Sequence, residues 1–207
     1  MTTLNPQIEK WETRYKANAT ALLKPPLRPI VEAVSTLKPG KALDLACGPG
    51  RHAIWLAQRG WNVDAVDGSS AALDHLRSFA NTNGCSRQIQ TTCADLEANP
   101  SAFQISQERY DLIINCHFLH RPLFEAIQHG IHEGGYFIGI VHSAIAPPSN
   151  KHSYLVQPGE LEQLARGWKW EVVTSQEQDT RGDDTNSQFT DSVIVARRPE
   201  RQSQAAF

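Results

Sequence analysis

Residues 41–67, KALDLACGPGRHAIWLAQRGWNVDAVD, pass from a short apolar stretch through two glycines into a helix-length segment, stop at Gly60 and enter a second apolar stretch. Strand, glycine turn, helix and strand in so short a span form one βαβ unit, and its two strands run parallel. Further apolar runs at 88–93, 111–116 and 135–141 join those at 42–46 and 62–66. Apart from the polar-edged third, they are nearly continuous, as strands buried on both faces are. The spacing predicts helices over 51–59, closed by Gly60, and over 71–81, where Ala72, Leu73, Leu76 and Phe79 follow the candidate caps Ser69 and Ser70.

Two helices are expected before the sheet. Asn5-Pro6 is a cap with a proline at the first helical position, and Leu4, Ile8, Trp11 and Tyr15 form one stripe behind it. A second helix is expected over 27–37, after Pro25-Pro26. Gly134-Gly135 marks the turn into the fifth strand, and Pro158 starts a short helix that stops at Gly167. The stretches WKWEVVTSQ and FTDSVIVARR, separated by the polar EQDTRGDDTNSQ, close the chain as a hairpin. The expected fold is α/β: a doubly wound, Rossmann-like, seven-stranded sheet, mostly parallel with a C-terminal antiparallel β-hairpin, and helices on both faces. A chain of 207 residues suits one domain, with 1–38 as a helical lid and 39–207 as the core.

A net charge of −2 with scattered basic residues gives no bias toward nucleic acid or anionic membrane. No run approaches the length that spans a bilayer, and the first residues lack an apolar signal core. A cytoplasmic location is expected. Cys47, Cys85, Cys93 and Cys116 have no C-x-x-C spacing, so neither disulfides nor a zinc site is expected. The pairs His117-x-x-His120 and His129-x-x-His132 lack a carboxylate or cysteine at ligand spacing, and no metal is expected there.

In a doubly wound sheet, ligands sit beyond the carboxyl ends of the strands, where ACGPG falls. Gly48 to Ala53 satisfies the G-x-G-x-x-A form of a dinucleotide fingerprint, so a nicotinamide- or flavin-dependent oxidoreductase is one reading. Asp44 opposes it: a carboxylate within about 5 Å would repel a pyrophosphate by several kcal/mol. A cationic ligand is favoured, and S-adenosyl-L-methionine carries both a sulfonium and an ammonium. Asp67, ending the second strand, can accept from both ribose hydroxyls. Asp95, after the third, can accept from the adenine amine beside the amide and side chain of Leu96. Each acid has a plainer use as a helix cap or turn residue, but three after three successive strands point to one ligand.

With these residues the sequence resembles class I S-adenosylmethionine-dependent methyltransferases, within them the tellurite-resistance and thiopurine-type bacterial branch. The resemblance rests on KWETRY at 10–15, ALDLACGPGRHAIWLAQRGWNVDAVDGSSAAL, FLHRPLFEAI and QPGELEQLARGW, and covers nearly the whole chain. It implies that Asp44, Ala46, Cys47, Gly48 and Gly50 hold the methionine half, and that Asp67, with Gly68 and Ser69 after it, holds the ribose. Asp95 and Leu96 would hold the adenine. Asn115 and Cys116 would face the methionine amine and the acceptor, and Arg14 would reach the cofactor carboxylate from the lid.

Ala46 departs from the first glycine common in the wider superfamily. The loop 177–188 also lacks the histidine of the His-Arg pair by which tellurite-type enzymes resemble one another, so tellurite is not carried over as substrate; Arg181 alone could bind an anion. His117 and His142, ending the fourth and fifth strands, are the candidate bases, each with a plainer use as a loop hydrogen-bonder. Trp11, Tyr15 and Phe118 are candidate pocket walls. The sulfonium-bound methyl is already activated, so alignment in a dry cavity suffices and no protein nucleophile is required. The expected partner is a small-molecule methyl acceptor, with the chain a monomer or homodimer. A non-catalytic S-adenosylmethionine-binding module remains a third reading beside the methyltransferase and the oxidoreductase.

Overall fold

A computed structural model describes residues 5–17, 23–99, 102–144, 154–178 and 189–201. Seven strands form one sheet: β1 Lys41–Leu45, β2 Asn62–Asp67, β3 Ile89–Cys93, β4 Tyr110–Cys116, β5 Ile131–Ala144, β6 Glu171–Gln178 and β7 Phe189–Arg197. Their order is β3-β2-β1-β4-β5-β7-β6. The neighbouring pairs among β1 to β5 are parallel, and β7 lies antiparallel between β5 and β6, giving the expected sheet and hairpin. The order turns around between β1 and β4, which makes their carboxyl ends the place for a ligand.

Helices cover both faces. On one, Ile30 and Val34 of α2 Arg28–Val34, Ala53 and Ile54 of α3 Arg51–Ala57, and Leu73 and Leu76 of α4 Ser70–Thr82 pack on Ala42, Leu112, Ile138 and Val193. On the other, α5 Leu123–Gly130 and α6 Glu160–Gly167 place Phe124, Ile127 and Leu161 on Leu43, Ile113, Phe137 and Ile194. Leu73 and Leu76 are fully buried, each worth about 1.5–3 kcal/mol in transfer alone. Ser69 caps α4, its hydroxyl accepting from the Ala72 amide at 3.1 Å. α3 starts after Gly50, at φ 85°, where a Cβ would lie 2.4 Å from Leu76 Cγ. Only glycine fits there.

Several expectations change. β5 starts at Ile131 rather than 135, because Gly134, at φ 78°, bulges within the strand instead of preceding it. The pairing accordingly jumps from Tyr110–Ile131 to Leu112–Tyr136. α5 carries the crossover into β5, and the sequence reading did not assign it a helix. The β3-to-β4 connection holds no helix among its described residues, so the two strands are joined by a loop there. That loop seats Ile105 against Gly130, where a Cβ would lie 2.4 Å from its side chain. α2 is shorter than 27–37, and α6 begins after Gly159 rather than at Pro158.

α1 Pro6–Ala17 forms behind the expected cap, Asn5 Oδ1 accepting from the Gln7 amide at 3.0 Å. Its packed face keeps Ile8 and Tyr15 of the expected stripe and adds Asn5 and Glu12, while Trp11 is 42% exposed. Leu4 lies outside the described residues. No described helix is long and apolar enough to cross a membrane.

Candidate functional site

The loop after β1 crosses the end of the sheet in unusual backbone: Ala46, Gly48 and Gly50 have φ of 51°, 53° and 85°. Ala46 takes a conformation that glycine adopts without strain, which gives a structural meaning to the residue this chain substitutes. Gly48 lets α1 approach, since a Cβ there would lie 2.9 Å from Tyr15 Oη; Gly68 does the same for Ile8.

Two carboxylates, one buried and one half-buried, lie under this loop. Asp44 is 1% exposed, and its Oδ2 accepts from the Ala53 amide at 3.1 Å. Burial pushes its carboxyl up to about 7, against the pull of that amide and of Arg51. Asp67 accepts from the Gly48 amide at 2.7 Å and the Ser69 amide at 2.8 Å. Burial raises its carboxyl too, and the amides of Ser69, Gly48 and Gly68 work the other way. Among the described residues no Lys or Arg is in ion-pair contact with either acid. Carboxylates drawn out of water and held, among the described residues, by backbone amides suit a ligand that brings positive charge.

Asp95 is committed locally. Its Oδ1 accepts from the Glu97 amide at 2.9 Å, the turn role weighed against a ligand role, and Oδ2 lies 3.4 Å from Asn5 Nδ2. The Leu96 side chain is 4% exposed and belongs to the core under α5. At the end of β4, Asn115 is 1% exposed and its Oδ1 has no partner among the described residues, an orphaned acceptor beside the switch point. Burial and the neighbouring Asp44 hold the thiols of Cys47 and Cys116 well above their ordinary values, so neither is a thiolate near neutral pH.

His117 and His142 meet. Their rings stack at 4.6 Å between centroids and 16° between planes. Both turn to one carboxylate: His117 Nε2 lies 3.1 Å from Asp191 Oδ2, and His142 Nδ1 lies 2.7 Å from Asp191 Oδ1. His117 has φ 54°, and its amide donates to the Ile140 carbonyl at 2.7 Å. Asp191 is fully buried and stands directly across the sheet from His142 in the β5–β7 register. Sequence reasoning missed it. The available signal was its parity: Asp191 shares the strand face of Val193 and Val195, a core face where a lone acid needs a partner.

The residues expected in a lid or pocket wall divide. Glu12, also missed, accepts from Ser69 Oγ at 2.6 Å, the Ala71 amide at 3.1 Å and Ser70 Oγ at 3.1 Å, fastening α1 over the first turn of α4. The Ser69 hydroxyl draws the Glu12 carboxyl down to about 2. Tyr15 lies between Trp11 and His75, with centroids at 5.9 and 6.4 Å. Arg14 is exposed, its guanidinium 5.0 Å from the Trp11 ring centroid. Phe118 packs against the core under α5. The other histidines go elsewhere: His132 Nε2 lies 2.7 Å from Asp111 Oδ1 at the opposite end of β4. Arg181 lies outside the described residues.

A family model described as tellurite resistance protein TehB matches residues 13–189. The probable S-adenosyl-L-methionine-dependent methyltransferase TehB of Haemophilus influenzae strain 10810 is 28% identical over 153 residues, 68% of this chain and 50% of that protein. The chain thus spans about half the length of the TehB relatives it matches. The crystal structure of TehB from Haemophilus influenzae superposes with a TM-score of 0.70 at 21% identity, over 91% of this chain and 67% of that one. The 1,6-didemethyltoxoflavin-N1-methyltransferase of Burkholderia thailandensis, solved with 1,6-didemethyltoxoflavin and S-adenosylhomocysteine bound, superposes at 0.64 with 17% identity, over 97% and 93% of the two chains. At such identities the two structures show a shared fold.

Proposed function

The chain belongs to the TehB family of class I S-adenosylmethionine-dependent methyltransferases, and from that membership we propose that it transfers the methyl group of S-adenosyl-L-methionine to a small-molecule acceptor. The observation that carries this reading is the pair Asp44 and Asp67, one buried carboxylate and one half-buried, each with backbone amide partners and, among the described residues, no Lys or Arg in ion-pair contact, under a glycine loop at the switch point. A dinucleotide would bring a pyrophosphate to those charges; a sulfonium and an ammonium are complementary to them.

When bound, the cofactor supplies a methyl group already activated on sulfur. The chain's own residues have three tasks. Asp44 with the Ala46–Gly50 loop positions the methionine half, and Asn115 Oδ1, buried and unpartnered, offers an acceptor to its ammonium. Asp67 takes the ribose hydroxyls, exchanging amide donors it already holds. Asp95 contributes Oδ2 alone to the adenine end, its other oxygen being tied to Glu97, and Leu96 contributes its amide rather than its buried side chain. His117 and His142 border the acceptor, where either ring can receive its proton as the new bond forms. Arg14 reaches the carboxylate only if α1 shifts from its present seat on Gly48 and Gly68. α1 is accordingly a lid that admits the cofactor and then excludes water.

Calorimetric titration with S-adenosylhomocysteine and, separately, NADH tests the cofactor. Binding of the first and not the second is expected, and the reverse preference would overturn the reading. Turnover of S-adenosyl-L-methionine over thiol, amine, hydroxyl and oxyanion acceptors then separates an enzyme from a binding module.

A further inference from the structure

His117, His142 and Asp191 offer one ligand atom each, all within 4.8 Å of one another. They come from the end of β4, from β5 and from β7, three hydrogen-bonded strands. Two imidazoles and one carboxylate converging from rigid elements are the donor set of a borderline transition-metal site. The spacing suits an octahedral ion: two bonds of about 2.1 Å meeting at its right angle put their donor atoms about 3.0 Å apart. The nitrogen-to-oxygen separations, 3.1 Å for His117 and 2.7 Å for His142, lie on either side of that value. The carboxylate is fully buried, while the two histidine side chains remain 24% and 28% exposed. An ion seated among them would have its anionic ligand inside and coordination positions open toward the surface. His117 holds its place in left-handed backbone, a conformation a non-glycine residue keeps only when its surroundings impose it.

We propose that this trio binds a divalent first-row transition ion, Zn(II) or Fe(II) in class, through His117 Nε2, His142 Nδ1 and the Asp191 carboxylate. An absent metal was expected from the spacing within His117-x-x-His120 and His129-x-x-His132; those pairs do not form the cluster, which is assembled across strands instead. The ion's use, gripping the heteroatom of the acceptor and making it easier to deprotonate, rests on the methyltransferase reading. Metal binding itself does not.

The test uses the full chain, tag-free and dialysed against chelator, titrated with Co(II) without cofactor. Visible d–d bands saturating at one equivalent and erased by Zn(II) are expected. His142→Ala and His117→Gln, both at partly exposed positions, should each weaken Co(II) binding at least about tenfold; Asp191→Asn, at a buried position, is the third variant. Bands that fail to appear, or that appear equally in the two histidine variants, would overturn the proposal and leave the trio a hydrogen-bonded group only. S-adenosylhomocysteine calorimetry on the same metal-free protein reports the cofactor reading separately, so either idea can fail alone.

Discussion

The two sides of the switch point handle buried negative charge in opposite ways. On the β1–β2 side, Asp44 and Asp67 receive, among the described residues, only backbone amides, and burial raises both carboxyls. On the β5–β7 side, Asp191 is buried more completely yet meets two imidazoles, one for each oxygen. Among the described residues the first side has no cationic side chain in contact, while the second sets two imidazoles beside its carboxylate. A site built this way can bind a cationic cofactor at one end and hold a proton or an ion at the other without one end cancelling the other.

The sharpest way to break that contrast is to damage one side and watch the other. His142→Ala should reduce methyl transfer about 100-fold or more, the lower range for a lost proton-transfer group, while S-adenosylhomocysteine affinity measured by calorimetry stays within about twofold. Loss of cofactor binding in this variant would show that the two sides are one unit. Asp67→Ala should do the converse, weakening cofactor affinity at least tenfold, since each charge-assisted hydrogen bond is worth about 1.5–3 kcal/mol. A folded Asp67→Ala protein with unchanged affinity would remove this residue from the site.

A third measurement sharpens the electrostatic difference. With its carboxyl raised to about 7, Asp44 is protonated in much of the free protein below that pH. A cationic ligand prefers the ionised form, so binding releases a proton and affinity rises as pH increases through about 7. Between about pH 6 and 8 the gain should approach tenfold for S-adenosyl-L-methionine, and Asp44→Asn should flatten the profile. The stability effect has the opposite sign: a folded-state pKa raised from 3.8 contributes most below the unfolded value and is lost as pH rises toward about 7. The smallest expected effect is on the lid. Glu12→Gln removes charge from the contacts to Ser69, Ser70 and Ala71, and should raise amide exchange in residues 6–17 by a few-fold, with bound S-adenosylhomocysteine restoring protection. Exchange unchanged by both variant and ligand would make α1 ordinary packing.

The acids near the ends of β1 and β2 and the glycine loop could be found in the sequence because each requirement is local: positive φ at Gly48 and Gly50, a cap at Ser69, a carboxylate at a strand end. Asp95 shows where that logic loosens, since a turn acid and a ligand acid look alike until the Glu97 amide is seen to occupy one oxygen. α1 shows it again. The apolar stripe named Trp11, but the helix docks through Glu12, because the free amide of Ala71 and the hydroxyls of Ser69 and Ser70 bind a carboxylate better than they bind an indole.

From sequence alone, this chain determined its parallel strands, its crossover helices, read as 51–59 and 71–81 and formed over 51–57 and 70–82, and the place of the glycine loop, since hydrophobic period, caps and glycine backbone act between residues close along the chain. Tertiary structure decided what sits opposite that loop. Asp191 lies 49 residues from His142 and 74 from His117, and nothing in their spacing joins them. They meet because β7 enters antiparallel between β5 and β6 in the register that sets His142 against Asp191, and a one-residue slip would turn the carboxylate to the other face of the sheet.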